Sequence, residues 1–262
     1  ELLLTAARGV CDLENEFALL SDGVRATAGK VTIDLHDLHW DNKTGLASSD
    51  TQSETTDGTN TIKSSAIDIY PNEDLIEMFE VSGRFLMAGT EPEDATDQSA
   101  EKEPASQRYK YLDLDSGGGL DLNIASARFG TIRDGVRLTL IADNPADNLT
   151  ISADEVEFTY ANEDASEPTG VRLNGNVEFK SGAFIGRGDL LVIDFESGDT
   201  ELSGDASMES ELFEAVRAPV IRYNLNTEAL RLAPGNQIRR MQLFGRPAGD
   251  DDNAAASRPA GR

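Results

Sequence analysis

The chain has 262 residues, with 48 Asp and Glu against 23 Lys and Arg, for a formal net charge of −25. Acidity on this scale excludes nucleic-acid binding and electrostatic docking on anionic lipid surfaces, because both need basic patches. A single Cys excludes a disulfide framework, and the partner left open is neutral, apolar or another protein.

The first residues, ELLLTAARGVC, hold no Met and no basic run, which predicts a mature or truncated chain whose export signal, if any, lies outside it. Cys11 invites a lipoprotein reading, but Arg8 stands where a cleavage site needs a small or apolar residue. A half-buried strand residue is the expectation there. No apolar run reaches the roughly 18–20 residues of a membrane-spanning helix. Further on, DLHDLHWD at 34–41 gathers His36 and His39 with Asp34, Asp37 and Asp41. Imidazole beside carboxylate suits zinc or acid–base chemistry. On a strand, however, residues three apart face opposite ways, so two surface or edge histidines are expected and no metal. Residues 46–61 (LASSDTQSETTDGTNT) carry almost no large apolar group and read as a disordered loop.

The same composition returns at 89–108, and we read 89–119 as an acidic flexible linker, with Gly117, Gly118 and Gly119 marking re-entry into structure. DLDSG at 113–117 begins like a calcium loop, but the twelfth position is Ile124 rather than Glu, which excludes an EF-hand. Beyond the linker the apolar period is two. Leu149 and Ile151 alternate with polar residues, as do Val156, Phe158 and Tyr160, then Val171, Leu173, Val177 and Phe179, then Leu191, Ile193 and Phe195. Residues at i, i+2 and i+4 share one face of a strand. No segment carries a helical stripe over three turns, so the chain is predicted to be all-β. The apolar phase shifts from odd to even positions across Asp154, which places a bulge or corner there. Residues 245–262 are again polar and small and read as a disordered tail.

Repeats organise the alternation. ADEVEFTY (153–160), GDLLVIDF (188–195) and APVIRYNL (218–225) each place large apolar residues at their fourth, sixth and eighth positions, at spacings of 35 and 30 residues. Between them VRLNGNVEF and TELSGDASM align Gly175 with Gly204. A unit of this length made of two short strands signals a strand-pair array. The N-terminal part echoes it. DGVR occurs at 22–25 and 134–137, and FEVSGRFLM (79–87) matches TELSGDASM with Gly83 under Gly204. The reading is two related halves, 1–88 and 120–244, joined by 89–119.

Nothing in the chain reads as catalysis. There is no nucleophile elbow, P-loop or dinucleotide fingerprint. Two histidines crowded on one strand are a poor supply for a triad, and among 48 carboxylates an acidic pair arises by chance. We therefore expect a non-enzyme without cofactor.

The segments ISADEVEFTY, VRLNGNVEF, GRGDLLVIDFESGDTELSGDASM and RAPVIRYNLNTEALRL resemble the OstA-like superfamily, the LptA/LptC-type proteins of lipopolysaccharide transport. The resemblance covers 149–232 well and the N-terminal half more loosely. It implies an antiparallel β-jellyroll, an open two-sheet "taco", whose apolar groove holds lipopolysaccharide acyl chains within a bridge from inner to outer membrane. It also implies a periplasmic location, with membrane association through partners. The implied partners are lipopolysaccharide or a related lipid, and other jellyrolls of this type joined edge to edge. The groove candidates are Val156, Phe158, Val177, Phe179, Leu191, Ile193, Phe195, Leu202, Ile221 and Tyr223. Read from the residues alone, these side chains either line a groove or fill the closed core of a sandwich or solenoid scaffold with no lipid. The resemblance favours the groove.

Overall fold

The computed structural model describes residues 2–86 and 108–232, apart from residues 13, 163, 164, 166, 167, 183, 211, 212 and 228. Within them the chain is built of β-strands. The first group is β1 (Leu3–Thr5), β2 (Arg8–Asp12), β3 (Phe17–Ala28), β4 (Val31–Asp41), β5 (Leu46–Ser49), β6 (Ser53–Thr56), β7 (Thr61–Ser64), β8 (Ala66–Tyr70) and β9 (Leu75–Leu86). The second begins with β10 (Tyr109–Asn123), β11 (Arg128–Ile132), β12 (Val136–Ala142), β13 (Leu149–Ala153), β14 (Glu155–Tyr160) and β15 (Pro168–Lys180). It continues with β16 (Phe184–Asp194), β17 (Asp199–Ser203), β18 (Ser207–Ser210), β19 (Phe213–Arg217), β20 (Val220–Asn224) and β21 (Leu230–Leu232). All pairings are antiparallel and join one sheet.

That sheet is folded back on itself along a line of corners. Each long strand crosses the line and changes neighbours there. The first part of β15 pairs with β14 and its last part with β13. β16 switches likewise from β18 to β17, and β10 from β12 to β11. The result is two layers. The front one contains β2, β5, β8, β11, β14, β17, β20 and β21, and the back one β1, β6, β7, β12, β13, β18 and β19. β3, β4, β9, β10, β15 and β16 run through both. The period of two then sends one set of side chains between the layers. In β12, Val136, Leu138, Leu140 and Ala142 are buried while Arg137 faces water. The buried apolar set is continuous from Val24 to Leu225.

The corners follow from residue type. Asp22 and Gly23 have φ of 64° and 83°, and Asp134 and Gly135 have 66° and 85°. Left-handed backbone is tolerated by Gly, Asp and Asn far better than by β-branched residues, so the repeated DGVR makes the same corner twice. The corner expected at Asp154 is present. Its N–H donates to the Gly175 carbonyl at 3.0 Å, and its own carbonyl accepts from the Gly135 N–H at 3.2 Å. Gly175 and Gly204 have φ of 74° and 73°. A Cβ on Gly175 would lie 2.4 Å from Asp154 Oδ2, and one on Gly204 2.6 Å from Asp189 Oδ2. The first two repeats thus carry an Asp in one unit and a Gly in the next, with the carboxylate in the space where a side chain would stand, while the third has Pro219 in the Asp position.

Several expectations need correction. Residues 46–61 form β5, β6 and the start of β7 rather than a disordered loop. Their backbone is paired to β4, β8 and β7, and their hydroxyls find partners, as Ser49 Oγ with Thr51 Oγ1 at 2.8 Å and Ser53 Oγ with Ser64 Oγ at 2.5 Å. Main-chain ladders on both sides supply the order that apolar content does not. Of the linker 89–119, residues 89–107 lie outside the described residues, while 108–119 enter β10, which pairs with β9 from Tyr111↔Leu86 to Asn123↔Leu75. Gly117–Gly119 therefore form a corner within a strand. Gly83 is not equivalent to Gly204: the corner in β9 falls at Glu80, with φ of 47°, and Gly83 lies beneath the Thr61 carbonyl. Cys11 is exposed, not half-buried. The tail 245–262 lies outside the described residues.

The corner glycines of β10 provide a controlled test. A Cβ on Gly118 would stand 1.8 Å from the Arg133 carbonyl oxygen, whereas a Cβ on Gly117 meets nothing within 4 Å. Gly118→Ala is expected to destabilise the fold by about 2–3 kcal/mol, and Gly117→Ala by no more than about 0.5 kcal/mol. Urea unfolding of the two variants side by side checks this, and equal midpoints would refute the corner geometry.

Candidate functional site

The ten candidate residues all lie between the layers. Val156 and Phe158 come from β14, Val177 and Phe179 from β15, Leu191 and Ile193 from β16, Leu202 from β17, and Ile221 and Tyr223 from β20, with Phe195 just beyond β16. Each is buried, from 0% exposure at Val156 to 8% at Tyr223. They belong to a longer interior that the repeats alone did not reveal. It extends through Leu122, Ile76 and Ile69 to Ile33 and Val24. The signal for these was present in the same alternation, as in Val136, Leu138 and Leu140.

Large aromatic side chains in this interior sit at strand ends away from the corners, along the lip where the two layers face each other. Phe85, near the end of β9 in the back layer, meets Phe129 and Phe158 of the front layer at ring-centroid distances of 5.0 and 5.1 Å. Phe184, at the start of β16 in the back layer, meets Tyr223 of the front layer at 4.7 Å. Phe179 meets Phe184 edge to face at 5.4 Å. The corner side is lined instead by aliphatic residues such as Val156, Leu191 and Leu202. Tyr160 closes the central contact from outside. Its hydroxyl donates to the Phe129 carbonyl at 2.9 Å, and burial pushes its phenol pKa well above the ordinary value.

Polar groups enter the interior mainly between β5 and β7. Ser53 bonds Ser64, Ser49 Oγ donates to Asp37 Oδ1 at 3.1 Å, and Thr55 Oγ1 is buried without a hydrogen bond. This end is lined by small side chains, among them Ala26, Ala28 and Ala47. His36 and His39 are both exposed: β4 creases between Leu35 and Leu38, which breaks the alternation, so the two rings do not take opposite faces. Among the described residues no group of three His, Cys, Asp or Glu side chains is placed to hold a metal ion, and no helix is long and apolar enough to cross a membrane.

Comparison with known proteins places this interior in context. Residues 146–229 match the family described as LptA/(LptD N-terminal domain) LPS transport protein. The match spans β13 to β20 and under half of the chain, and over that stretch the resemblance to the OstA-like lipopolysaccharide-transport superfamily is borne out. No curated protein matches the chain.

The outer faces are polar ladders. Arg84 holds Asp113 through two hydrogen bonds of 2.6 and 2.8 Å, Arg25 holds Asp34 likewise, and Arg187 bridges Glu178 and Glu209. On the front layer one row runs differently. Asp68 of β8 stands opposite Glu77 of β9, which stands opposite Asp121 of β10, and like charges directly opposed destabilise a sheet. Arg133 reaches Asp121 at 3.3 Å. Partial burial, then the charge of Asp50, raises the pKa of Asp68 above the ordinary carboxylate value. Folded Asp68 therefore keeps a proton at a pH where the unfolded chain has lost it. Its ionisation opposes folding at neutral pH, and that penalty disappears as pH falls through the raised value. Asp68→Asn is expected to raise the thermal midpoint at pH 7, by less than about 1 kcal/mol in stability. The gain should shrink toward zero at about pH 4. Melting curves of both proteins across that range read the effect, and a gain that grows on acidification would contradict the assignment.

Proposed function

We propose that this protein is a non-enzymatic carrier of lipopolysaccharide acyl chains, working in the periplasm as part of a protein bridge between the inner and outer membranes. The observation that carries this reading is that the family match and the enclosed apolar strip coincide. All ten candidate residues fall inside the stretch that matches the lipopolysaccharide-transport family, and all ten face the space between the layers.

The chemistry suits an acyl chain. Moving one CH₂ from water into an apolar lining contributes about 0.8 kcal/mol, and this lining offers neither charge nor a hydrogen-bonding sequence that would fix the lipid in one register. A chain held in this way slides along the interior. The outer carboxylates repel anionic headgroups, so the grip comes from the chains alone. Energy for directional movement comes from a partner, and no bond is made or broken. The end strands supply the joints. β1 and β2 each pair with β3 on one side, and such an edge accepts a strand from a neighbouring jellyroll.

A second reading is favoured by one observation. The interior side chains are in mutual contact and buried, as in the core of a scaffold that carries nothing. A photoreactive amino acid placed at Phe195 or Leu202, with the outward Glu201 as control, separates the two. In the presence of lipopolysaccharide we expect inward positions to label and Glu201 not to. Absence of labelling at both inward positions, in protein shown to be folded, would decide for the scaffold.

A further inference from the structure

We infer that acyl chains enter this interior sideways, through the lip opposite the corners, and that the ring contacts Phe85–Phe129/Phe158 and Phe184–Tyr223 are the closure of that port. The inference rests on the lipid reading above and adds a route and a gate to it.

The argument begins with what holds each side of the interior. Along the corners the layers are joined covalently by strands that run through both. The corner groups are also tied by main-chain hydrogen bonds, such as Asp189 N–H to Gly204 O at 3.0 Å and Ala218 N–H to Ala206 O at 3.0 Å. At the lip two main-chain hydrogen bonds run within a layer rather than across it. Phe195 N–H donates to Thr169 O at 2.8 Å in the front layer, and Ser181 N–H to Phe184 O at 3.0 Å in the back layer. Parting the lip about the corner line therefore leaves the strand ladders intact and separates side chains. The ring pairs described across this line meet from opposite layers, at centroid distances of 4.7 to 5.1 Å. Phe184 and Tyr223 lie near the ends of their strands, the positions that move most when a creased sheet opens. Aromatic faces also accept methylene chains, so rings that close the empty port can line an occupied one.

Insertion through an open end of the sheet is the competing route, and it asks nothing of these rings. The experiment uses the full chain with a photoreactive residue at Val156, which is 0% exposed and sits beside the Asp154 corner, and purified lipopolysaccharide as the probe. Phe184→Ala combined with Tyr223→Ala is expected to speed labelling at Val156 roughly tenfold, equivalent to about 1.4 kcal/mol. In a Cys11→Ser background, Phe184→Cys and Tyr223→Cys joined by a short bis-maleimide should slow labelling at least tenfold relative to the same protein left unlinked. That comparison is made within one folded variant, so it decides the matter even where the alanine pair fails to fold. Equal rates with and without the link would overturn the lateral port while leaving lipid binding in place. Absence of labelling at both Val156 and Phe195 in every folded variant would instead overturn the lipid reading itself.

Discussion

The hydrogen bond from the Asp154 N–H to the Gly175 carbonyl, with its counterparts along the corner line, determines the rest of the molecule. An antiparallel sheet with one apolar face must cover that face. Two separate sheets would do so by packing; this chain does so by creasing a single sheet at each long strand. Creases such as those beside Gly175 and Gly204 use left-handed backbone and need a neighbour with room for it. The pairing of Asp154 with Gly175, and of Asp189 with Gly204, meets both needs at once. From the crease follow the two layers, the enclosed strip of apolar side chains, and the asymmetry between a hydrogen-bonded back and a lip closed by rings.

Much of this is legible in the sequence because its causes are local. The period of two identifies strands without reference to neighbours, and the phase slip at Asp154 locates a corner from residue parity alone. DGVR appears twice and makes the same turn twice. What escaped was non-local. Residues 46–61 are strands because β4 and β8 lie against them and because Ser53 finds Ser64, facts that composition does not encode. Gly83 aligns with Gly204 by letter, but its role is to pass under the Thr61 carbonyl. The ten interior candidates follow from the alternation together with the resemblance. Phe85, Phe129 and Phe184, which close the lip, lie outside the apolar positions of the repeats, and their significance emerges only when the layers are brought together.

The acidity of the chain is likewise resolved by the fold. Along the back layer carboxylates alternate with arginines, as in Arg25–Asp34 and Glu178–Arg187–Glu209, and these exposed pairs contribute little individually. On the front layer Asp68, Glu77 and Asp121 stand abreast. Arg133 reaches only Asp121 of that row. The interior, by contrast, contains hydroxyls and the Asn60 amide but, among the described residues, no buried charged side chain.

The creased edge has a mechanical consequence. Among the described residues β1 and β2 pair with β3 alone, and their outer sides lie in two planes that meet at a bend near residues 6 and 7. A flat edge can take up a strand at any register that satisfies its ladder, and the joint so formed can slip or swivel. A bent edge accepts only a partner whose own bend coincides, so axial position and rotation are fixed together, as in a keyed shaft coupling. Units joined through such edges would transmit torque and keep their lips in phase along the whole assembly.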